Sequence, residues 1–315
     1  MFTRRFLLAA LPAAAMVRPA AAADFQSFLA GLRAEARGRG IGQRGLAGLD
    51  GLQPNARVLQ LNAHQPEFTE TWAQYSAATL SATRISQGRA LFAANRGLLA
   101  AIGRRFGVDA GVIMGIWGLE TNYGHFQGGF NVPDALATLA WDSGRSAYFR
   151  SELLAALRIL DRGGLQPAGM LGSYAGAMGQ PQFMPSVYLR LAVSFNGNGT
   201  PDIWTSVPDS LASIANYLHQ SGWRPGEPWG EPALVPSGFP PHRGALPLAA
   251  WERMGLRRLP GSPALPASLS TRLLRPAGVG GDAFFAYPNF RAIRAYNPSD
   301  FYALSVGLLG NLVTS

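Results

Sequence analysis

No cysteine occurs anywhere in the 315 residues, so whatever this chain folds into has to be held by a packed apolar core alone. The constraint matters because the N-terminus reads as an export signal, and small exported domains often rely on disulfides. Arg4 and Arg5 precede an apolar run from Phe6 to Val17 that is too short to anchor in a bilayer. Ala21-Ala22-Ala23 then supplies the small residues a signal peptidase needs, which places the signal over 1–23 and cleavage before Asp24. The arginine pair also has the form of a twin-arginine signal, although other export signals begin with positive charge too. No later stretch is apolar for long enough to cross a membrane, so no membrane anchor is expected. The missing cysteine also excludes a lipidated N-terminal cysteine, a thiolate metal site and a thiol nucleophile. At 48% hydrophobic residues, the chain can bury a large core.

Periodicity makes that core mainly helical. Apolar residues recur at helical spacing around Phe25–Ala36 and along Leu91–Phe106. From Val112 to Trp223 helices alternate with glycine-rich loops at Asn122–Asn131, Gly163–Gly179 and Asn196–Gly199. Asp134 ahead of Ala135-Leu136-Ala137 and Leu139 reads as an N-cap. Phe149, Leu153, Leu157 and Leu160 form one stripe of a helix over Tyr148–Leu160. Pro208 suits a first helical turn, and Gly222 is placed to end the helix carrying Leu211, Ile214 and Leu218. Residues 224–288 are rich in proline and glycine with short apolar runs, which predicts a small β or irregular subdomain. The tail from Phe301 to Leu312 returns to helix.

All 27 basic residues are arginine, against 18 acidic ones, for a net charge of +9. A basic surface suits an anionic polymer. Nucleic acid is one such polymer, but an export signal argues against it, and charge of this size also serves solubility alone.

The densest chemical signal is the stretch from Asp109 to Gly124. Ile113, Ile116, Trp117 and Glu120 fall at i, i+3, i+4 and i+7, so a carboxylate shares a helix face with large apolar groups. Desolvation there disfavours the anion and raises the pKa, as a general acid near neutral pH requires. Gly118 and Gly124 are expected to leave room beside it for a bulky ligand. Spacing alone supports equally well a Glu120 that ends its helix and points to solvent or an arginine. A second signal runs from Gly172 to Ser186, where small residues allow close approach of backbone to ligand. Ser173, Gln180 and Gln182 there offer uncharged hydrogen-bonding groups beside Tyr174, Phe183 and Tyr188, a mixture suited to sugar hydroxyls and sugar faces. The same composition would serve as a plain connector. It is neither a phosphate loop, a dinucleotide fingerprint nor a serine-hydrolase elbow. His64, His125, His219 and His242 form no metal-ligand spacing, so no metal is expected.

Gly115-Ile-Trp-Gly-Leu-Glu-Thr-Asn-Tyr-Gly124, Asp134-Ala-Leu-Ala-Thr-Leu139, Gly172 to Ser186, Ser213-Ile-Ala-Asn-Tyr-Leu218 and Gly222-Trp223 occur in one order. In that order and spacing the chain resembles the B-type lytic murein transglycosylases, from about Phe25 to Gly310. The resemblance implies a mainly α (α+β) fold, with a lysozyme-like core flanked by an α domain and a small β subdomain. The corresponding division is 24–111 for the α domain, 112–223 for the core, 224–288 for the β-containing part and 289–315 for a segment returning to the core. It implies cleavage of the β-1,4 bond between N-acetylmuramic acid and N-acetylglucosamine without water, by one carboxyl group acting first as acid and then as base. That carboxyl falls on Glu120. By motif position, sugar-binding residues fall on Tyr75, Arg145, Tyr148, Ser173, Gln182, Phe183, Tyr217, Tyr296, Asn297 and Tyr302. Gly144 stands where the family often has a second arginine beside Arg145. The implied partner is the glycan strand of peptidoglycan in the periplasm, with cell-wall synthesis or remodelling proteins as associates and no cofactor.

Two rivals remain at this point: a hydrolytic muramidase using the same Glu120, and a non-catalytic peptidoglycan-binding scaffold. Most glycosidases pair two carboxylates; no second acid obviously plays that part here, with Asp134 and Asp142 the open candidates. Relatives hold calcium in an EF-hand-like loop, and Ser194 to Thr205 keeps its outline. Ser194, Asn196 and Asn198 stand where carboxylates usually sit, and Thr205 replaces the bidentate Glu. Asp202 is the only anion left, so weak or no calcium binding is expected.

Overall fold

The computed structural model describes residues 19–63, 70–197 and 199–315. Residues 1–18 of the expected export signal, His64 and Asn198 lie outside them. Helices α1 (Pro19–Gly38), α2 (Gln43–Leu46) and α3 (Ala56–Ala63) come first, then α4 (Trp72–Thr79), α5 (Ala82–Ala94) and α6 (Arg96–Phe106). The central region holds α7 (Ala110–Thr121), β1 (Phe130–Asn131), α8 (Val132–Trp141), α9 (Ser146–Arg162), β2 (Leu171–Gly172), α10 (Pro185–Leu191) and α11 (Val207–Gln220). Strands β3 (Gly230–Leu234), β4 (Ala245–Pro247), β5 (Arg257–Arg258), β6 (Ser270–Leu274) and β7 (Phe284–Ala286) follow, with α12 (Leu248–Arg253) between β4 and β5. The chain closes with α13 (Pro288–Tyr296) and α14 (Asp300–Thr314). Among the described residues no helix is long and apolar enough to cross a membrane.

Among the described residues, buried apolar side chains gather into three clusters that ignore chain order. One surrounds α7, whose residues Val112 to Gly118 are all buried, with α6, α11, α13 and α14 packed around it. A helix apolar on every side has to be a core helix. A second joins α1 to α8 and α9 and takes in Met178, Phe183 and Tyr188. Residues 24–111 therefore feed two cores, since α1 and α3 contact α8 whereas α5 and α6 contact α7. The third lies under the antiparallel sheet, in strand order β4-β6-β7-β3-β5, around Trp251 and Phe285. Alternation along β6 and β7 sends Leu273 and Phe285 into that small core and Leu274 and Phe284 toward the helices.

Helices α7 and α14 pack backbone against backbone. A methyl group on Gly115 would lie 2.1 Å from the Val306 carbonyl oxygen, and one on Gly310 would lie 2.3 Å from that of Gly111. The two backbones touch because no side chain intervenes.

Local expectations fail at three places. Leu91–Phe106 is two helices rather than one: Asn95 leaves helical geometry and its Nδ2 donates to the Leu91 carbonyl at 2.9 Å, ending α5. Asn131, not Asp134, caps α8, its side chain accepting from the Asp134 N–H at 3.1 Å. Pro133 fills the first turn and pushes Asp134 inside the helix. Gly118 and Gly124 make room for protein and not for ligand, since a methyl group would meet Leu309 and Tyr123 at the first and Gln180 at the second, each at 2.8 Å.

Gly115→Ala is expected to destabilise the fold by about 1–3 kcal/mol through overpacking against a backbone that cannot yield. Thermal melts of purified protein test this; an unchanged melting temperature would show that the α7–α14 contact has slack.

Candidate active site

Glu120 is the next-to-last residue of α7, and two features set its chemistry. The apolar helix and its neighbours strip water from the carboxyl group, which burial pushes up to about 7 from an ordinary 4.5. The Tyr302 hydroxyl donates to Glu120 Oε1 at 2.6 Å, which favours the anion and opposes burial without overcoming it. Glu120 as a residue keeps partial exposure, so the group is dehydrated yet reachable. The proton of the neutral acid belongs on Oε2, because Oε1 is already accepting.

Immediately after the helix, the chain turns back sharply. Asn122, Tyr123 and Gly124 are all left-handed, at φ 48°, 59° and 87°. Two of the three are not glycine, so the turn needs support. It comes from Asn122 Nδ2 to Gln87 Oε1 at 3.2 Å, the Tyr123 hydroxyl to the Arg84 carbonyl at 3.2 Å, and the Gly124 N–H to Thr121 Oγ1 at 2.9 Å. Arg84 and Gln87 are supports that motif reading missed, because α5 is brought here only by tertiary packing.

Tyrosines from distant elements converge on Glu120. Tyr302 lies in the first turn of α14, capped by Ser299 Oγ. Tyr75 of α4 and Tyr296 of α13 both have hydroxyl pKa values raised first by burial and next by the charge of Glu120, which brings them within its field. Tyr296 packs against both large cores and donates to the Pro181 carbonyl at 2.6 Å, tying α13 to the glycine-rich loop. Its ring, with those of Phe183 and Tyr217, forms a trio with centroids 4.6–5.9 Å apart. Asn297 accepts from the Ser299 N–H at 3.1 Å and shapes the joint between Tyr296 and Tyr302.

The loop from Gly172 to Gln182 is folded on itself. Met178 and Phe183 exchange backbone hydrogen bonds of 2.9 and 3.0 Å, and the Ser173 N–H donates to the Ala177 carbonyl at 2.8 Å. Ser173 Oγ accepts from the N–H groups of Ala175 and Ala177, leaving its O–H to donate. Gln182, itself left-handed at φ 51°, turns its amide nitrogen to the carbonyls of Gln127 and Gly179, leaving its oxygen to accept. Gln180 is not a ligand group. It is buried, with Oε1 accepting from Trp117 Nε1 at 2.8 Å and its carbonyl accepting from Thr121 Oγ1 at 3.0 Å, so it locks the loop onto α7.

Arg145 and Tyr148 stand apart from this group. Both are exposed at the start of α9, where Arg145 lies over the Phe149 ring and Tyr148 packs on its edge. Asp134 is held by Asn55 Nδ2 at 2.7 Å, and Asp142 is exposed after α8. A wide cavity of about 700 Å³ opens beside Asn55 and Asp134, but it contains none of the expected sugar-binding residues. Among the described residues no three His, Cys, Asp or Glu side chains are placed to hold a metal ion. In the loop of Ser194 to Thr205, buried Asp209 accepts from the N–H groups of Phe195 and Asp202, both at 2.9 Å. Asp202 in turn accepts from the N–H groups of Trp204 and Thr205, both at 2.9 Å, and from the Thr205 hydroxyl.

A single carboxylic acid, desolvated at the end of an apolar helix and bonded by a tyrosine hydroxyl at the seam of two helical cores, has the form of a lysozyme-like glycan-cleaving site. The comparisons agree: residues 24–311 match the model of the transglycosylase SLT domain family, and the chain belongs to that family. It is 34% identical over 248 residues to membrane-bound lytic murein transglycosylase B of Escherichia coli K12, covering 77% of this chain and 67% of that protein. It superposes on SltB3 of Pseudomonas aeruginosa, in complex with NAG-anhNAM-pentapeptide, with a TM-score of 0.88 at 40% identity over 92% of this chain and 80% of that one. The soluble lytic transglycosylase SltB1 of Pseudomonas aeruginosa gives 0.80 at 30%, over 91% and 98%.

Two outcomes are expected. The folded state holds a proton on Glu120 between about 4.5 and 7 that the unfolded state releases, so stability falls as pH rises through that window. Glu120→Gln removes the titration and should be more stable than wild type above pH 7 by about 3 kcal/mol, the gap closing at low pH. Denaturant unfolding at several pH values measures it, and a pH-independent gap would mean that Glu120 is not desolvated. In the 194–205 loop the carboxylates already bond its own N–H groups. A chelator should therefore leave the melting temperature unchanged, whereas Asp209→Asn should cost about 2–3 kcal/mol. Stoichiometric micromolar calcium binding by calorimetry would contradict this reading of the loop.

Proposed function

We propose that the chain cleaves the glycan strands of peptidoglycan in the periplasm as a lytic transglycosylase, with Glu120 as its only acid and base. The observation that carries the reading is the placing of Glu120 at the end of the apolar helix α7 with the Tyr302 hydroxyl on Oε1, a setting in which burial pushes its pKa up to about 7 and no other carboxylate contributes. Oε2 of the neutral acid protonates the oxygen leaving C1 of N-acetylmuramic acid, and positive charge develops on the sugar ring. The carboxylate so formed takes the proton from the C6 hydroxyl of the same sugar, whose oxygen closes on C1 to give a 1,6-anhydro ring. No water enters the balance. A carboxyl group with a pKa near the working pH suits both halves of this cycle.

The surrounding groups fit sugar in complementary ways. Ser173 offers a donor and Gln182 an acceptor, while the half-buried Tyr217 and Tyr296 offer faces for a pyranose ring, backed by the buried ring of Phe183. Tyr302 holds the acid in place, Tyr75 lies within its field, and Asn297 shapes the joint that leads to Tyr302. Arg145 and Tyr148, exposed on α9, are assigned to the strand farther from the scissile bond. Export through the signal over 1–23 would bring the enzyme to this substrate, and proteins of cell-wall synthesis or remodelling would direct it.

Mass spectrometry of products from purified sacculi tests the proposal. Wild type should release muropeptides with 1,6-anhydro ends, and Glu120→Gln should release none. Gln182→Ala should slow turnover by roughly tenfold, the loss of one hydrogen bond left unpaired, and should also lower the melting temperature because the Gln127 and Gly179 carbonyls lose their donor. Reducing ends in place of anhydro ends would make the enzyme a hydrolytic muramidase, and full activity of Glu120→Gln would remove Glu120 from the mechanism.

A further inference from the structure

Away from Glu120, where the sheet meets the start of α13, a cavity of about 320 Å³ is lined by three arginines: Arg224, Arg272 and Arg291. They come from separate places, the loop after α11, the middle of β6 and the first turn of α13. Arg272 lies between Ala245 of β4 and Ala286 of β7 in the strand register, so its neighbours across the sheet are too small to cover it. It stands in the row of side chains that elsewhere faces the helical core, where Leu274 and Phe284 are buried. Neither Arg272 nor Arg291 has an ion-pair or hydrogen-bond partner among the described residues. Arg224 has only Glu227, at 3.5 Å, a distance too long for a good hydrogen bond.

The third arginine is also deliberately held. Asn289 is fully buried, and its side chain grips the backbone of Arg224 from both sides, accepting from its N–H at 2.7 Å and donating to its carbonyl at 2.9 Å. The reaction at Glu120 makes no use of this clamp. The N-terminus of α13 adds positive potential from the same direction. Pro288, Phe290 and the two alanines beside Arg272 give the cavity its apolar lining, and Ser270 adds a hydroxyl.

We propose that this cavity binds a carboxylate of the peptide stems carried by the glycan substrate; the proposal rests on the peptidoglycan reading above. Guanidinium groups pair with carboxylates through two parallel hydrogen bonds. The apolar wall suits a small aliphatic side chain next to that carboxylate, which a phosphate lacks. Distance agrees: α13 begins at the cavity with Pro288 and ends beside Glu120 with Tyr296, about 12 Å farther along the helix at 1.5 Å per residue. A stem hanging from a sugar in the cleft spans such a gap easily. The cavity thereby selects strands that still bear peptides.

The test compares wild type with Arg272→Gln/Arg291→Gln on intact sacculi and on the same sacculi stripped of their stems by an amidase. On intact sacculi KM should rise about tenfold, as for loss of charge-assisted hydrogen bonds, with kcat within about twofold. On stripped strands the two proteins should be indistinguishable. Equal losses on both substrates, or no loss on either, would overturn the proposal. Calorimetry with free stem peptide, and separately with inorganic phosphate, reads the site without turnover. Peptide binding lost in the double variant supports the site, whereas phosphate binding without peptide binding overturns it. Failure of the underlying activity would show itself differently, as absence of anhydro products from wild type on both substrates.

Discussion

The backbone contact between α7 and α14 is the constraint on which the rest of the site depends. Going up α7 from Gly111 to Gly115, the partner on α14 moves down from Gly310 to Val306. One further turn in the same antiparallel sense brings the end of α7 beside the start of α14, where Glu120 meets Tyr302 at 2.6 Å. The glycines are therefore part of the catalytic geometry although none touches the site. A bulkier residue at any of them would separate the helices and draw the hydroxyl away from the acid.

The pKa of Glu120 follows from a balance struck by the same packing. Burial within a helix that is apolar on every side raises it, and a single tyrosine hydroxyl lowers it again. A second donor or a nearby arginine would tip the group into a permanent anion unable to protonate a leaving oxygen. The polar residues that brace the site are turned elsewhere. Gln180 locks Trp117 and Thr121, Thr121 holds Gly124, and Tyr296 reaches Pro181. The result is a shell that is rigid and well hydrogen-bonded around one carboxyl group left in an apolar setting.

The apolar face of Ile113, Ile116 and Trp117 with Glu120 was legible from spacing, because helix periodicity is a local property. So were the stripe of α9, the proline in the first turn of α11 and the β-forming stretch that becomes β3 to β7. What lay beyond reach was long-range. Gly118 and Gly124 were read as space for a ligand, yet protein fills both places, since composition shows that room exists but not who occupies it. Gln180 and Gln182 look alike in the sequence and have opposite roles, one buried as a lock and the other turned to leave an oxygen outward. Asn95 interrupts a run that looks helical throughout, and the support of Arg84 and Gln87 for the turn after Glu120 depends on α5 arriving from elsewhere. The motifs brought Tyr75, Tyr296 and Tyr302 forward as a set only through family resemblance; in the structure Tyr302 bonds the acid, Tyr296 donates to the Pro181 carbonyl, and Tyr75 lies within the field of Glu120.

The central claim is that packing, not a partner charge, keeps Glu120 protonated near neutral pH. A carbon-13 NMR titration of the side-chain carboxyl, with glutamate-labelled protein and Glu120→Gln to assign the resonance, measures it directly. A midpoint near 7, rising further in Tyr302→Phe where the hydrogen bond to the anion is lost, is the predicted result. A midpoint in the ordinary range near 4.5, unmoved by Tyr302→Phe, would contradict the account.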